Sequence, residues 1–201
     1  MAVAQATHAK GVRWQMVADT ITNRRSNMNV DLERPVPTEL IDDLIKLAVA
    51  APNHYRTFPW RFVVLTGAAR ARLGELAAQA VARRENVNPN FVERQRVQFW
   101  RTPAVVVVAS ARDTDPVRDF ENKHAVSAGV QNILLGASAA GLASAWRSGP
   151  PMVDADVSGP FKEAIGLEPD VEIVAVIYLG FPIGPPGSRE GPEPNVRYLD
   201  Q

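Results

Sequence analysis

The chain has 201 residues, 46% hydrophobic and 22% charged, with a formal net charge of +0; this suits a globular chain with its own core and gives no field to draw nucleic acid or a membrane surface. It has no cysteine, which excludes a disulfide framework, a thiolate nucleophile and a cysteine-ligated metal. The opening MAVAQATHAKG lacks the charged start and apolar run of a secretory signal, so the expected compartment is the cytoplasm.

Trp14, Val17, Ala18 and Ile21 recur at helical spacing, which predicts a first helix ending near Asn23, with Arg24, Arg25 and Ser26 directly after it. Beyond Pro35 and Pro37, Thr38 is the expected N-cap of a second helix with Ile41, Leu44, Ile45 and Ala48 as its apolar stripe. Pro52 stops that helix, and the loop APNHYRTFPW gathers Pro52, Asn53, His54, Arg56 and Pro59 before a strand from Trp60 to Leu65. Thr66-Gly67 turns into a third helix with Leu73, Leu76, Ala77, Ala80 and Val81 on one face. A polar stretch from Arg83 leads to a shorter helix from Phe91 to Trp100. The second strand, Ala104 to Ala109, has no alternation across Val105 to Val108, as a strand covered on both faces would.

Arg112 to Arg118 is charged, contains Pro116 and reads as a surface loop. A helix from about Glu121 to Ala140 follows, capped by Gly141; the uncharged stretch Ala125 to Ala145 carries too many polar residues to favour a bilayer and reads as a helix buried in protein. Gly129, Gly136 and Ala140 share a face that lets another backbone approach, in the same chain or in a second one. A third strand is expected at Leu142 to Trp146, a short helix at Phe161 to Leu167 and a fourth strand at Val171 to Leu179. Residues 181–201 form a proline- and glycine-rich arm whose Val196, Tyr198 and Leu199 want a surface, such as another subunit. Together with a short N-terminal extension, 1–11, this predicts one domain over 1–201 with interleaved helices and strands, α/β or α+β.

Serine-hydrolase, P-loop, dinucleotide-fingerprint and zincin motifs are all missing, and His8, His54 and His124 have no metal-ligand spacing, so a bound organic cofactor is the better chemical resource. Arg24, Arg25 and Ser26 offer forked donors for a phosphate monoester, or simply two cations at the negative end of a helix. The run Trp146-Arg147-Ser148-Gly149-Pro150-Pro151 can border a planar heteroaromatic ligand, or be a strand-terminal turn with a packed tryptophan.

In this order, Arg24-Arg25-Ser26, Pro35-Val36-Pro37, Ala51-Pro52-Asn53-His54 with Pro59-Trp60-Arg61-Phe62, Ser127 to Asn132, and Gly141-Leu142 with Trp146 to Gly149 resemble the flavin-dependent nitroreductase family, in particular its compact NAD(P)H nitroreductase branch. The resemblance runs from about Val12 to Leu179. It implies an α+β nitroreductase-like fold, a central mixed sheet of four to five strands flanked by helices, in an intertwined homodimer with FMN at the subunit interface. Arg24, Arg25 and Ser26 would hold the phosphate and ribityl oxygens, and Trp146, Arg147 and Ser148 would border the rings. His54, with Ala50 nearby, would come from the other subunit; Arg197 is the candidate for a C-terminal phosphate ligand. The loop departs from larger members by inserting Arg56-Thr57-Phe58.

The implied function is an FMN-dependent oxidoreductase passing hydride from NADH or NADPH through flavin N5 to nitroaromatic or quinone-like acceptors, by a ping-pong mechanism and without a protein catalytic residue. No metal, nucleic acid or membrane is expected to take part. The alternatives are an FMN carrier, lidded by Arg83 to Phe99, or a flavin dehydrogenase or dehalogenase on the same fold.

Overall fold

A computed structural model describes residues 11–188 and 190–199. Residues 1–10 of the expected N-terminal extension, with His8 among them, Arg189 and the last two residues of the arm lie outside them. The first helix, α1 (Val12–Asn23), forms where the apolar spacing predicts it, yet none of its residues is buried. It is an amphipathic helix whose apolar face this chain leaves largely uncovered. The second, α2 (Thr38–Val49), starts at the residue expected to cap it: Pro37 takes the cap position in extended backbone, and its carbonyl accepts from the Leu40 and Ile41 amides, so Thr38 is already helical.

The remaining elements are β1 (Trp60–Thr66), α3 (Ala68–Ala82), α4 (Pro89–Val97) with a 3-10 turn (Gln98–Arg101), β2 (Ala104–Ser110), α5 (Pro116–Ala139), β3 (Ala143–Arg147), α6 (Pro150–Val153), α7 (Ala155–Ala164) and β4 (Glu172–Gly180). The expected surface loop at Arg112 to Arg118 is therefore cut short. Asp115 caps α5 by accepting from the Val117 and Arg118 amides at 2.8 and 3.2 Å, and Pro116 occupies the first helical position, where its missing N–H is no loss. Similarly, α7 begins well before Phe161. Asp154 caps it, and the buried Val157 and Phe161 hold it helical across Gly159 and Pro160.

The four strands lie in the order β1-β2-β4-β3, every neighbouring pair antiparallel. Beyond β3 the chain leaving α1 adds one parallel bridge, Ser26 with Ser144, and the Asn27 amide donates to the Ser144 carbonyl at 3.0 Å. It is an isolated bridge outside the named strands, so the sheet has four strands and is antiparallel throughout, where a mixed sheet of four to five strands was expected. As expected, β2 is buried on both faces: Val106 and Val108 pack with α2 and α5, while Val105 and Val107 join Leu73, Phe99 and Phe161 on the other side.

The small-residue face of α5 serves an intrachain contact. A Cβ on Gly129 would lie 2.8 Å from the Ala48 carbonyl oxygen, and one on Gly136 would lie 2.6 Å from Leu47 Cδ1. Both glycines thus set how closely α2 approaches α5. No helix among the described residues is long and apolar enough to cross a membrane.

Candidate active site

Since β3 is an edge strand, the residues at its end face open space on one side. Ala145, Trp146, Arg147 and Ser148 line a cavity of about 490 Å3 together with Ser26, Met28 and Arg101. Two of the stretches singled out in the sequence thus meet, because the Ser26–Ser144 bridge lays the chain after α1 alongside β3. Trp146 is 40% exposed, which leaves its ring open to a flat ligand. Among the described residues Arg147 donates only to the Met28 sulfur, at 3.7 Å, a weak acceptor that leaves its charge unneutralised.

Arg24 and Arg25 take a different side from Ser26. The backbone turns extended at Arg24 (φ −58, ψ 132), and the two arginines line a neighbouring cleft of about 160 Å3 with Asn27, Gly141 and Pro182. Arg25 donates to the Thr22 carbonyl at 2.5 Å and to the Arg24 carbonyl at 2.9 Å, so it serves the helix end. Arg24 Nη1 and Arg25 Nε are both buried and make no hydrogen bond among the described residues, but only Arg25 also donates through Nη1 to the helix-end carbonyls. A buried guanidinium donor with no partner is costly unless an anion takes it, which fits a phosphate placed here.

The His54 loop lies on the other edge of the sheet. Between β1 and β3 stand two strands, and three spacings of about 4.8 Å separate the edges by roughly 14 Å. No residue of 51–59 lines the cavity beside Trp146. The loop is nevertheless braced. Asn53 accepts from the Phe58 amide at 2.9 Å, Thr57 donates to Asn122, and Arg56 and Phe58 are held at φ of 50 and 49, a left-handed conformation that non-glycine residues adopt at a cost of about 1–2 kcal/mol each. His54 stacks on Tyr55 and sits 2.8 Å from Glu121, with its side chain 69% exposed. The braced loop leaves His54, Tyr55 and Phe58 exposed.

Ala50 lies in a third place, an apolar groove of about 470 Å3 formed with Met16, Val17, Ile21, Leu47 and Leu135. Arg197 is exposed in the extended arm and lines neither cavity. Among the described residues no group of three or more histidine and acidic side chains could hold a metal.

Three further residues border the site without a signal in the sequence. Met28 and Arg101 reach it from the chain after α1 and from the 3-10 turn. Tyr178 on β4 lines an adjoining cavity with Arg147, and burial pushes its hydroxyl up to about 12, so it stays neutral as a donor. Only the antiparallel register, which sets Ala145 opposite Tyr178, brings it there.

A four-stranded antiparallel sheet flanked by helices, with Trp146 and Arg147 open at the end of its edge strand, defines an α+β protein. The Nitroreductase family model matches residues 21–181, and the chain belongs to that family. It is 29% identical over 170 residues to the Bacillus subtilis protein named "Putative NAD(P)H nitroreductase YfhC", covering 83% of this chain and 84% of that one. A crystal structure of a nitroreductase-like family protein from Bacillus cereus superposes with a TM-score of 0.75 at 26% identity, covering 88% of this chain and 91% of that one. A nitroreductase with bound FMN from Bacteroides fragilis shares the fold at a TM-score of 0.72 and 18% identity, over 92% and 98% of the two chains.

Proposed function

We propose that the protein is an FMN-dependent oxidoreductase that carries reducing equivalents from NAD(P)H to nitroaromatic or quinone-like acceptors, as a homodimer with FMN at the shared seams. The observation that carries this is the meeting of Ser26 with Trp146, Arg147 and Ser148 in one open cavity, beside a cleft holding the unpartnered Arg24 donor. Arg24 would bind the phosphate, Ser26 the ribityl oxygens, and Trp146 and Ser148 the ring edge. FMN bound here would take hydride at N5 from NAD(P)H and, once the nicotinamide has left, reduce an acceptor in the same space, a ping-pong order. For a nitro acceptor the first stage converts NAD(P)H, a proton and ArNO2 into NAD(P)+, ArNO and water.

Arg147 contributes fixed positive charge where reduction adds negative charge to the rings, and its weak tie to Met28 leaves that charge available. The Trp146 indole excludes water from one ring edge and orients the plane. No side chain has to move a proton for hydride transfer, in keeping with a site whose titratable groups are cationic.

The dimer reading draws on surface that the chain leaves bare. Val17 and Ile21 on α1 are 58% and 50% exposed, Phe58 in the braced loop 68%, and Tyr198 and Leu199 in the arm 84% and 81%. Apolar surface on this scale marks an association site. A second copy would cover α1 and the groove around Ala50, and in this reading its own His54 loop would complete the site at this chain's Trp146 edge, which the chain's own loop does not line.

The test is to load the purified protein with FMN, dialyse, and add NADH or NADPH without oxygen. Bleaching of the yellow band supports the oxidoreductase reading. A retained yellow band that neither donor bleaches supports the carrier instead, and a protein that never retains FMN refutes both.

A further inference from the structure

Helix α4 and the 3-10 turn after it roof a second cavity, of about 720 Å3, that adjoins the first: Met28, Arg101, Arg147 and Ser148 line both. Its walls are of two kinds. Phe91, Trp100 and Tyr178 give it aromatic surface, whereas the charged groups around it are three arginines, Arg94, Arg101 and Arg147, with no carboxylate. Neither Arg94 nor Arg101 forms an ion pair among the described residues. Arg94 lies 5.7 Å from the Phe91 ring centre, and Glu93, the one acid on α4, is already held by Arg96 at 3.0 Å. Cations gathered in a cleft without counter-charge repel one another and favour an anionic ligand.

One amide adds to the demand. Gln98 has a buried side-chain nitrogen with no hydrogen-bond partner among the described residues, and it lines this cavity. An unpaired buried donor costs stability until a ligand or water satisfies it. A wholly apolar acceptor would leave it unmet.

We propose that this cavity selects the acceptor, and that the acceptor is a flat aromatic compound carrying a carboxylate, its ring against the aromatic walls and its anion gripped by Arg94 and Arg101. The planar guanidinium fork matches a carboxylate in a way that an ammonium does not. Gln98 supplies a further N–H. The carboxylate passes through the reduction unchanged. The proposal rests on the reading of the Trp146 edge as the flavin site, since that places the acceptor's reducible group next to the rings.

The probes are para-nitrobenzoate and para-nitrobenzyl alcohol, which share ring and nitro group and differ in charge. With FMN-loaded enzyme at low salt, kcat/KM favours the carboxylate by about tenfold or more, and added salt erodes the preference. Arg94→Gln brings the ratio toward one by lowering kcat/KM for the carboxylate, and Arg101→Gln also lowers the ratio. Binding is read separately, without turnover, as quenching of tryptophan emission by each probe, since Trp100 forms part of the wall.

Equal constants for the two probes overturn the proposal and leave the reductase reading standing. Preferential quenching by the carboxylate, lost in Arg94→Gln, supports it even in a protein whose flavin NAD(P)H does not bleach, where the reductase reading alone fails. If the two substitutions instead change the NADPH-to-NADH ratio with the acceptor ratio intact, the anion is the donor's phosphate and the proposal is wrong. Loss of FMN from Arg101→Gln with the acceptor ratio intact also refutes it.

Discussion

Replacing Arg24 with alanine separates a phosphate ligand from an ordinary helix-end cation. The Arg24 Nη1 donor is buried without a hydrogen-bond partner among the described residues, as is Arg25 Nε, but Arg25 also donates through Nη1 to the carbonyls of Thr22 and Arg24. A charge-assisted hydrogen bond to phosphate contributes about 1.5–3 kcal/mol, so Arg24→Ala should weaken FMN binding by about 10- to 150-fold. In the cofactor-free protein two terms oppose each other. Losing a cation at the helix C-terminus costs about 0.3–1 kcal/mol, while removing an unsatisfied buried donor relieves about 1–3 kcal/mol. The cofactor-free variant should therefore be at least as stable as the parent, to within about 1 kcal/mol. Flavin-fluorescence titration gives the first quantity and urea unfolding of the cofactor-free form the second. FMN affinity unchanged within about twofold, or a cofactor-free form that unfolds much more readily, would refute the reasoning.

Gly129→Ala should destabilise the fold by about 1–3 kcal/mol, because the added Cβ meets the Ala48 carbonyl oxygen at 2.8 Å and Trp60 Nε1 at 3.0 Å; an unaltered urea midpoint would show that α2 moves aside freely. Burial raises the Tyr178 hydroxyl from 10.0 to about 12, so the folded state holds its proton where the unfolded chain has lost it, and stability falls between those pH values and not below them. That loss, about 2–3 kcal/mol in all, should be missing from Tyr178→Phe, and parallel declines in the two proteins would refute the assignment. Ile21→Glu places a charge in the groove around Ala50 and should yield a folded monomer that no longer retains FMN; sedimentation showing a dimer with full cofactor content would exclude that face as the interface.

Much of the site was legible because it depends on local signals. Apolar spacing located α1, and so placed Arg24, Arg25 and Ser26 just beyond a helix end; the valine run of β2 announced a strand buried on both faces. Local signals failed where a tertiary contact outweighed propensity. Pro116 reads as a breaker, yet with Asp115 as cap it starts α5, and the burial of Val157 and Phe161 carries α7 across Pro160. Long-range placement was not legible at all. That Arg24 and Ser26 face different clefts follows from one extended residue, and that Tyr178 and Arg101 border the site follows from strand order and register. The stiffness of the His54 loop could be read from Pro52 and Pro59, but not the positive φ of Arg56 and Phe58.

The central claim, that electrons pass from NAD(P)H to an acceptor through a flavin held at the Trp146 edge, is tested most directly by splitting the cycle in two. The FMN-loaded protein is bleached with NAD(P)H without oxygen, freed of nicotinamide by gel filtration, and mixed with a nitroaromatic or a quinone. The account predicts that the yellow band returns at a rate set by acceptor concentration, with no pyridine nucleotide present. A bleached protein that stays bleached until NAD(P)+ is added back, or one that never bleaches, would contradict it.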